Sequence, residues 1–348
     1  MALIAAARAR TQLSDFGDGT AWRINLDVLA QALEAEAKLS PLGRVIAHGQ
    51  LVAHLANRLR AQQLWRTHPE ILDQPVTAPI VVLGQMRSGT TRVQRLLACD
   101  PQFSHTRFFE SWNPLPARGF DDRRLRGWAG LAIARLLNPG FGAIHPTGAN
   151  APDEEIGLHA FSFFGGSYEA QWRIPTFVAH CESIDARPVY AEFRRLVQTL
   201  AWLRGDDGLR PLILKVPQFT QDLPALIGAF PDARLLCLSR DRAALAASSA
   251  SLVRNQMEVQ SDTVDPRWIT REWDRKNALR DARVQHARAE LRHVPQHDIA
   301  FRDVDRDWAS EMRKVYAFLD RDLDATVLER MARYMGGATA HRAHRYPA

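Results

Sequence analysis

The chain has 348 residues, of which 46% are hydrophobic and 24% charged, ordinary figures for a globular protein long enough to bury a large core. Its net charge is +6, carried almost wholly by arginine, with lysine only at Lys38, Lys215, Lys276 and Lys314. This basicity suits anionic ligands, but it is spread along the chain and forms no basic patch or tail of the kind a nucleic-acid binder uses, so no nucleic-acid partner is expected.

In chain order, residues 21–65 read as helical. Leu26, Leu29 and Leu33, and then Leu51, Leu55 and Leu59, recur at helical spacing, with Pro41-Leu42-Gly43 dividing two helices. Residues 1–77 are therefore expected to be a helical extension that packs on the core, ending in a linker at 68–77 that carries Pro69 and Pro75. From Pro79 onward apolar runs alternate with helical ones. Strands are expected at 79–83, 103–109, 211–216, 233–238 and 297–304. Helices are expected at 92–98, 125–137, 189–203, 221–230, 243–253, 268–293, 308–319 and 325–335. Pro152-Asp153-Glu154-Glu155 has the proline and acids of a helix first turn. The pattern predicts an α/β fold of the P-loop type, with three layers and a central parallel sheet flanked by helices. It spans residues 78–348, with a helical insert at about 120–205.

Three further features bound the protein. Cys99, Cys181 and Cys237 match neither zinc nor disulfide spacing and read as small core residues in a reducing compartment. Residues 1–9 are too short for a secretory segment, and no run is long enough to span a membrane, so a cytoplasmic location is expected. His48, His54, His68, His286, His293 and His297 read as surface residues. His293 and His297 have ligand spacing, but Pro295 interrupts the helix that would align them.

The chemistry concentrates after the first strand. Gly84-Gln85-Met86-Arg87-Ser88-Gly89-Thr90-Thr91 joins a β-branched run to a helix, which aims backbone N–H groups and a helix dipole at one anion. A triphosphate loop places lysine immediately after its second glycine; here that residue is Thr90, and the loop's cation is Arg87. Ligands of parallel sheets sit beyond the carboxyl ends of strands. The expected strands end on this loop, Glu110, Lys215 and Ser239-Arg240, which gathers an anion cradle, a carboxylate, a lysine and an arginine at one crevice.

These residues resemble sulfotransferases that use 3′-phosphoadenosine 5′-phosphosulfate (PAPS). Arg87-Ser88-Gly89-Thr90-Thr91 is similar to the family's 5′-phosphosulfate loop, and Arg240 followed by Ser248 to its 3′-phosphate site. Leu214-Lys215-Val216-Pro217 and Phe108-Phe109-Glu110-Ser111-Trp112-Asn113-Pro114 resemble segments of its bacterial branch, and the former also one of the tyrosylprotein branch. Phe301-Arg302-Asp303-Val304 and His344-Arg345-Tyr346 have counterparts as well. The resemblance implies a metal-independent transfer of a sulfuryl group from PAPS, leaving PAP, to a hydroxyl or amine of a small-molecule, lipid or carbohydrate acceptor. It implies that Arg87, Ser88, Gly89, Thr90 and Thr91 hold the 5′-phosphosulfate. Arg240, Ser248 and Arg345 would meet the 3′-phosphate, Lys215 the bridging oxygen, and Glu110 the acceptor's proton. A homodimer is allowed. Gln85-Met86 stands where Met-Pro is usual, so a less rigid turn is expected; Val216 and Arg242 also depart from the pattern. The alternatives are a P-loop nucleotide kinase, disfavoured by Thr90, and a nucleotide-binding protein without catalysis.

Overall fold

In the computed structural model, which describes residues 2–340, the apolar run after Pro79 forms β1 (Ile80–Leu83), buried along its whole length. β2 (Ser104–His105), β3 (Leu212–Leu214), β4 (Arg234–Ser239) and β5 (Gln296–Ala300) complete a five-stranded sheet in the order β2-β3-β1-β4-β5. Every pairing is parallel; Ile80 stands beside Ile213 on one side and Arg234 on the other.

Successive strand residues face opposite layers. Val81, Leu83, Leu214, Leu235 and Cys237 join a core shared with the N-terminal helices and with Arg187–Arg204. Ile80, Val82, Ile213 and Leu236 join the opposite core, beneath helices Thr90–Leu97, Trp308–Leu319 and Ala325–Ala340. Each such buried side chain contributes about 1.5–3 kcal/mol. This double coverage is why the strands read as unbroken apolar runs.

The N-terminal helices Ala21–Ala35 and Pro41–Thr67 lie on the first of these layers. Ser40 caps the second helix by accepting the Gly43 amide at 3.0 Å, and Pro41 opens it, so the divider seen in the sequence is a helix start. Buried Arg58 ties the extension to the core: it pairs with Glu192, donates to the Phe16 carbonyl at 3.0 Å and stacks on Trp22 and Phe161.

Three expected strands are shorter than the apolar pattern implied, and that of 211–216 is confined to Leu212–Leu214. The stretch 103–109 gives strand only at Ser104–His105, because Phe108–Trp112 turns into a helix whose N-terminus is closed by the Glu110 carboxylate. Similarly, Phe301–Arg306 is a helix and not a continuation of β5. Asp153, Glu154 and Glu155 precede the short helix Ile156–Ala160 and do not form its first turn. The aromatic segment Phe161, Phe163, Phe164, Tyr168, Trp172 and Phe177 is buried core, and His54 is buried against Phe163 and Tyr168. Burial lowers the His54 pKa to about 4, so it stays neutral. Cys181 and Cys237 are buried, while Cys99 is half-buried.

Candidate active site

At the carboxyl ends of β1, β3 and β4 lies a cavity of 370 Å³. The loop after β1 forms one wall. Arg87 (φ 71°) and Gly89 (φ 95°) both take left-handed backbone conformations. A Cβ at Gly89 would stand 2.3 Å from the Phe301 ring, so only glycine lets the loop pass this close. Helix Thr90–Leu97 follows directly; the Gly89 carbonyl accepts the Arg92 and Val93 amides at 3.0 and 3.3 Å, so the first-turn amides that lack an intrahelical carbonyl are those of Thr90 and Thr91.

The loop lacks the expected Met-Pro yet is not slack. Gln85 is buried and its amide donates to the Asn277 carbonyl at 3.0 Å and to Asp281, both on the long helix Pro266–Glu290. Side-chain anchoring replaces the rigidity of a proline. Ser88 is also buried, with its hydroxyl donating to the Gln85 carbonyl at 2.7 Å. Its side chain supports the loop and does not face the cavity.

Arg87, Thr90, Thr91, Lys215 and Arg240 line the cavity together, although up to 153 residues separate them in sequence. Arg240, just past β4, donates to the Arg87 carbonyl at 2.8 Å, and Arg87 Nε donates to Ser248 Oγ at 2.9 Å. Arg240 and Arg92 both stack on Phe301. Burial, and then the neighbouring charges of Arg87 and Arg92, push the Arg240 pKa below the usual arginine value. Cations crowded this way favour an anion among them.

Lys215, just past β3, is 97% buried on its side chain, and its Nζ donates to Thr91 Oγ1 at 3.0 Å and pairs with Glu154. Glu154 is carried there by a pairing that the sequence did not disclose. Residues 149–153 zip against 106–109 through Phe108 N to Ala151 O at 3.0 Å, Phe109 N to Ala149 O at 3.1 Å and Asp153 N to Thr106 O at 3.0 Å. The next residue, Glu155, is sealed beneath the site and accepts the Lys215 amide at 2.7 Å. Burial pushes its pKa up to about 8, although the Lys215 amide and Thr106 pull it partway back.

Glu110 is not at this site. Its side chain is 1% exposed against 17% for Glu154, and it does not line the cavity. Arg204 grips both oxygens, at 2.7 and 2.6 Å, and the Arg107 amide donates to one of them at 2.8 Å. These bonds hold the carboxylate as a helix cap and half of a buried ion pair. The position expected for Arg345 lies outside the described residues.

The far wall of the cavity is apolar, with Phe108, Trp112, Phe141, Leu252 and Trp273. Beside it Glu169 binds Lys276 and Arg280, all three buried. These two cations hold Glu169 at a pKa of about 2 against the upward push of burial. Helix Pro266–Glu290 is mostly polar but buries Lys276 and Arg280 beside Ile269 and Trp273, and nothing in its sequence announces that Glu169, 107 residues before Lys276, pairs with both cations.

The sequence profile of the sulfotransferase family matches residues 79–325. The chain belongs to the sulfotransferase family. Among solved structures, this sulfotransferase is similar to sulfotransferase STF1 from Mycobacterium tuberculosis H37Rv, with 26% identity, a TM-score of 0.85, and 96% of this chain and 92% of that one covered. It is likewise similar to sulfotransferase STF9 from Mycobacterium avium, with 25% identity, a TM-score of 0.84, and 99% and 88% covered. No curated protein matches it. The central all-parallel sheet flanked by helices is the fold of these neighbours, and the enzyme is a sulfotransferase.

Proposed function

We propose that the enzyme transfers a sulfuryl group from PAPS to a hydroxyl, or an amine, of a small-molecule, lipid or carbohydrate acceptor. The observation that carries this reading is the convergence of Arg87, Arg240 and Lys215 on one cavity at a helix N-terminus, next to an apolar wall. The donor set suits a ligand with more than one anionic group: the loop, Lys215 and Arg240, which itself bonds the loop at the Arg87 carbonyl, line one cavity. PAPS supplies the activated sulfur–oxygen bond and a good leaving group.

The residues divide the work as follows. Thr90 and Thr91, with the first-turn amides, orient the phosphosulfate. Arg87 balances its charge, and its hydrogen bond with Ser248 keeps the guanidinium aimed. Arg240 offers the planar fork that suits a 3′-phosphate; Ser248 does not itself line the cavity and is joined to the site through Arg87, whose Nε donates to it. Lys215, already 3.0 Å from Thr91 Oγ1, meets the negative charge that builds on the bridging oxygen. Glu154 takes the acceptor's proton as the acceptor oxygen bonds to sulfur and the bridging oxygen leaves with the electron pair. Glu154 is preferred to Glu110 because it lines the cavity, and its partner Lys215 is drawn towards the leaving group as the reaction advances.

Calorimetric titration with 3′-phosphoadenosine 5′-phosphate tests the donor. Tight binding without magnesium is expected, weakened about tenfold or more in Arg240→Ala. A preference for ATP with magnesium overturns the reading.

A further inference from the structure

Helix Arg123–Leu137 carries an apolar stripe that nothing among the described residues covers. Leu125, Trp128, Ile133 and Leu136 are 64%, 68%, 58% and 80% exposed, and with exposed Ala129 and Ala132 they recur at helical spacing along one face. Six of the ten large exposed apolar side chains among the described residues fall between Phe120 and Leu137; the other four are Ile24, Leu42, Val45 and Leu209. The opposite face is fixed in place. Gly127 lies so close to Phe109 that a Cβ would stand 2.5 Å from the phenylalanine's own, and Arg123 stacks on the same ring. The exposed stripe is therefore a rigid surface and not a frayed turn.

Charge indicates what covers it. Residues 118–137 hold five arginines and two aspartates. Both aspartates are already paired, Asp121 with Arg123 and Asp122 with Arg126 and Arg118. The helix itself contains no acid, and Arg124 and Arg135 are exposed on it. Two copies of the chain meeting through this same face would bring like charges together with no acid on the helix to answer them. An anionic lipid surface answers both features: it accepts leucine, isoleucine and tryptophan at the acyl boundary and arginine at the headgroups.

The helix also adjoins the cavity. The helix it packs against, Phe108–Trp112, gives Phe108 and Trp112 to the cavity wall. Just past its C-terminus, Phe141 and His145 line the same space, and Asn138 bonds Asn255 at 2.7 Å on helix Arg242–Glu258, which supplies Leu252. We infer that this face docks the enzyme on an anionic bilayer, with the cavity at the bilayer surface, where a hydroxyl-bearing amphiphile is presented. Only the presentation of that acceptor rests on the sulfuryl-transfer reading; docking does not.

The test is sedimentation of the full chain with vesicles of phosphatidylcholine, either pure or with about a quarter phosphatidylglycerol. Binding to the anionic vesicles is expected, and it should weaken about tenfold or more on pure phosphatidylcholine or in high salt. The double variants Trp128→Asp/Ile133→Asp and Arg124→Glu/Arg135→Glu should each lose about tenfold or more. Both change exposed side chains, so each should keep its circular dichroism and its affinity for 3′-phosphoadenosine 5′-phosphate. That affinity also separates a failure of docking from a failure of the donor reading. No vesicle binding, or binding that neither variant alters, overturns the inference. So does a lipid-free dimer that Trp128→Asp/Ile133→Asp splits into monomers.

Discussion

Glu110 and Glu154 are both partly or fully enclosed carboxylates, each paired with a cation, and replacing each by glutamine separates their roles. Glu110→Gln leaves Arg204 buried against a neutral partner and weakens the cap at Arg107. Breaking a buried pair from one side costs about 3–5 kcal/mol of folding stability. Glu154→Gln also leaves buried Lys215 against a neutral partner, but Glu154 itself is 17% exposed and glutamine keeps an oxygen for the lysine, so its stability loss should be smaller, about 1–3 kcal/mol. On activity the order reverses. Removing a general base costs about 10²–10⁴ in rate, equal to about 3–5 kcal/mol on the barrier. Urea unfolding gives the stabilities, and label transfer from PAPS at saturating donor gives the turnover. Glu154→Gln should be folded, bind 3′-phosphoadenosine 5′-phosphate and turn over at least about a hundredfold slower. Glu110→Gln should be unstable, with near-normal turnover per folded molecule. The reasoning fails if Glu110→Gln is folded and inactive while Glu154→Gln stays within about tenfold of the parent.

Two further outcomes follow from the geometry. The folded pKa of Glu155 is raised from 4.5 to about 8, so the folded chain binds an extra proton between those values. Stability from this group is whole below pH 4.5 and is lost as pH rises through 8, up to about 5 kcal/mol. Glu155→Gln, which still accepts the Lys215 amide, should flatten the decline of unfolding free energy between pH 5 and 9; an unchanged slope refutes the assignment. Gly89→Ala places a methyl against Phe301 at a backbone angle of +95°. It should cost about 1–3 kcal/mol in urea unfolding. Because Arg240 and Arg92 rest on Phe301, it should also weaken 3′-phosphoadenosine 5′-phosphate binding about tenfold or more; parent-like affinity would show that the ring does not position the arginines.

Much of the architecture is written locally. The apolar runs at Ile80–Leu83 and Arg234–Ser239 specify buried parallel strands, because only a strand covered on both faces needs apolar residues at consecutive positions. The glycine spacing of the loop and the absence of lysine after Gly89 are likewise local, since backbone angles and close approaches are properties of a few adjacent residues. Arg87, Lys215 and Arg240 could be grouped from sequence because a single topological rule, ligands beyond strand ends, applies to each without knowing its partners.

Long-range pairing alone decided the rest. Glu110 and Glu154 each look like an acid near a helix start. One became a structural cap because Arg204, 94 residues later, reaches it. The other reached the cavity because residues 149–153 pair with 106–109. The inner face of helix Pro266–Glu290 buries Lys276 and Arg280 beside Ile269 and Trp273, since Glu169 bridges both cations and Glu182 also pairs with Lys276. An ion pair between distant segments leaves no periodicity in either, so only the folded chain shows which charges are matched and which remain for a ligand.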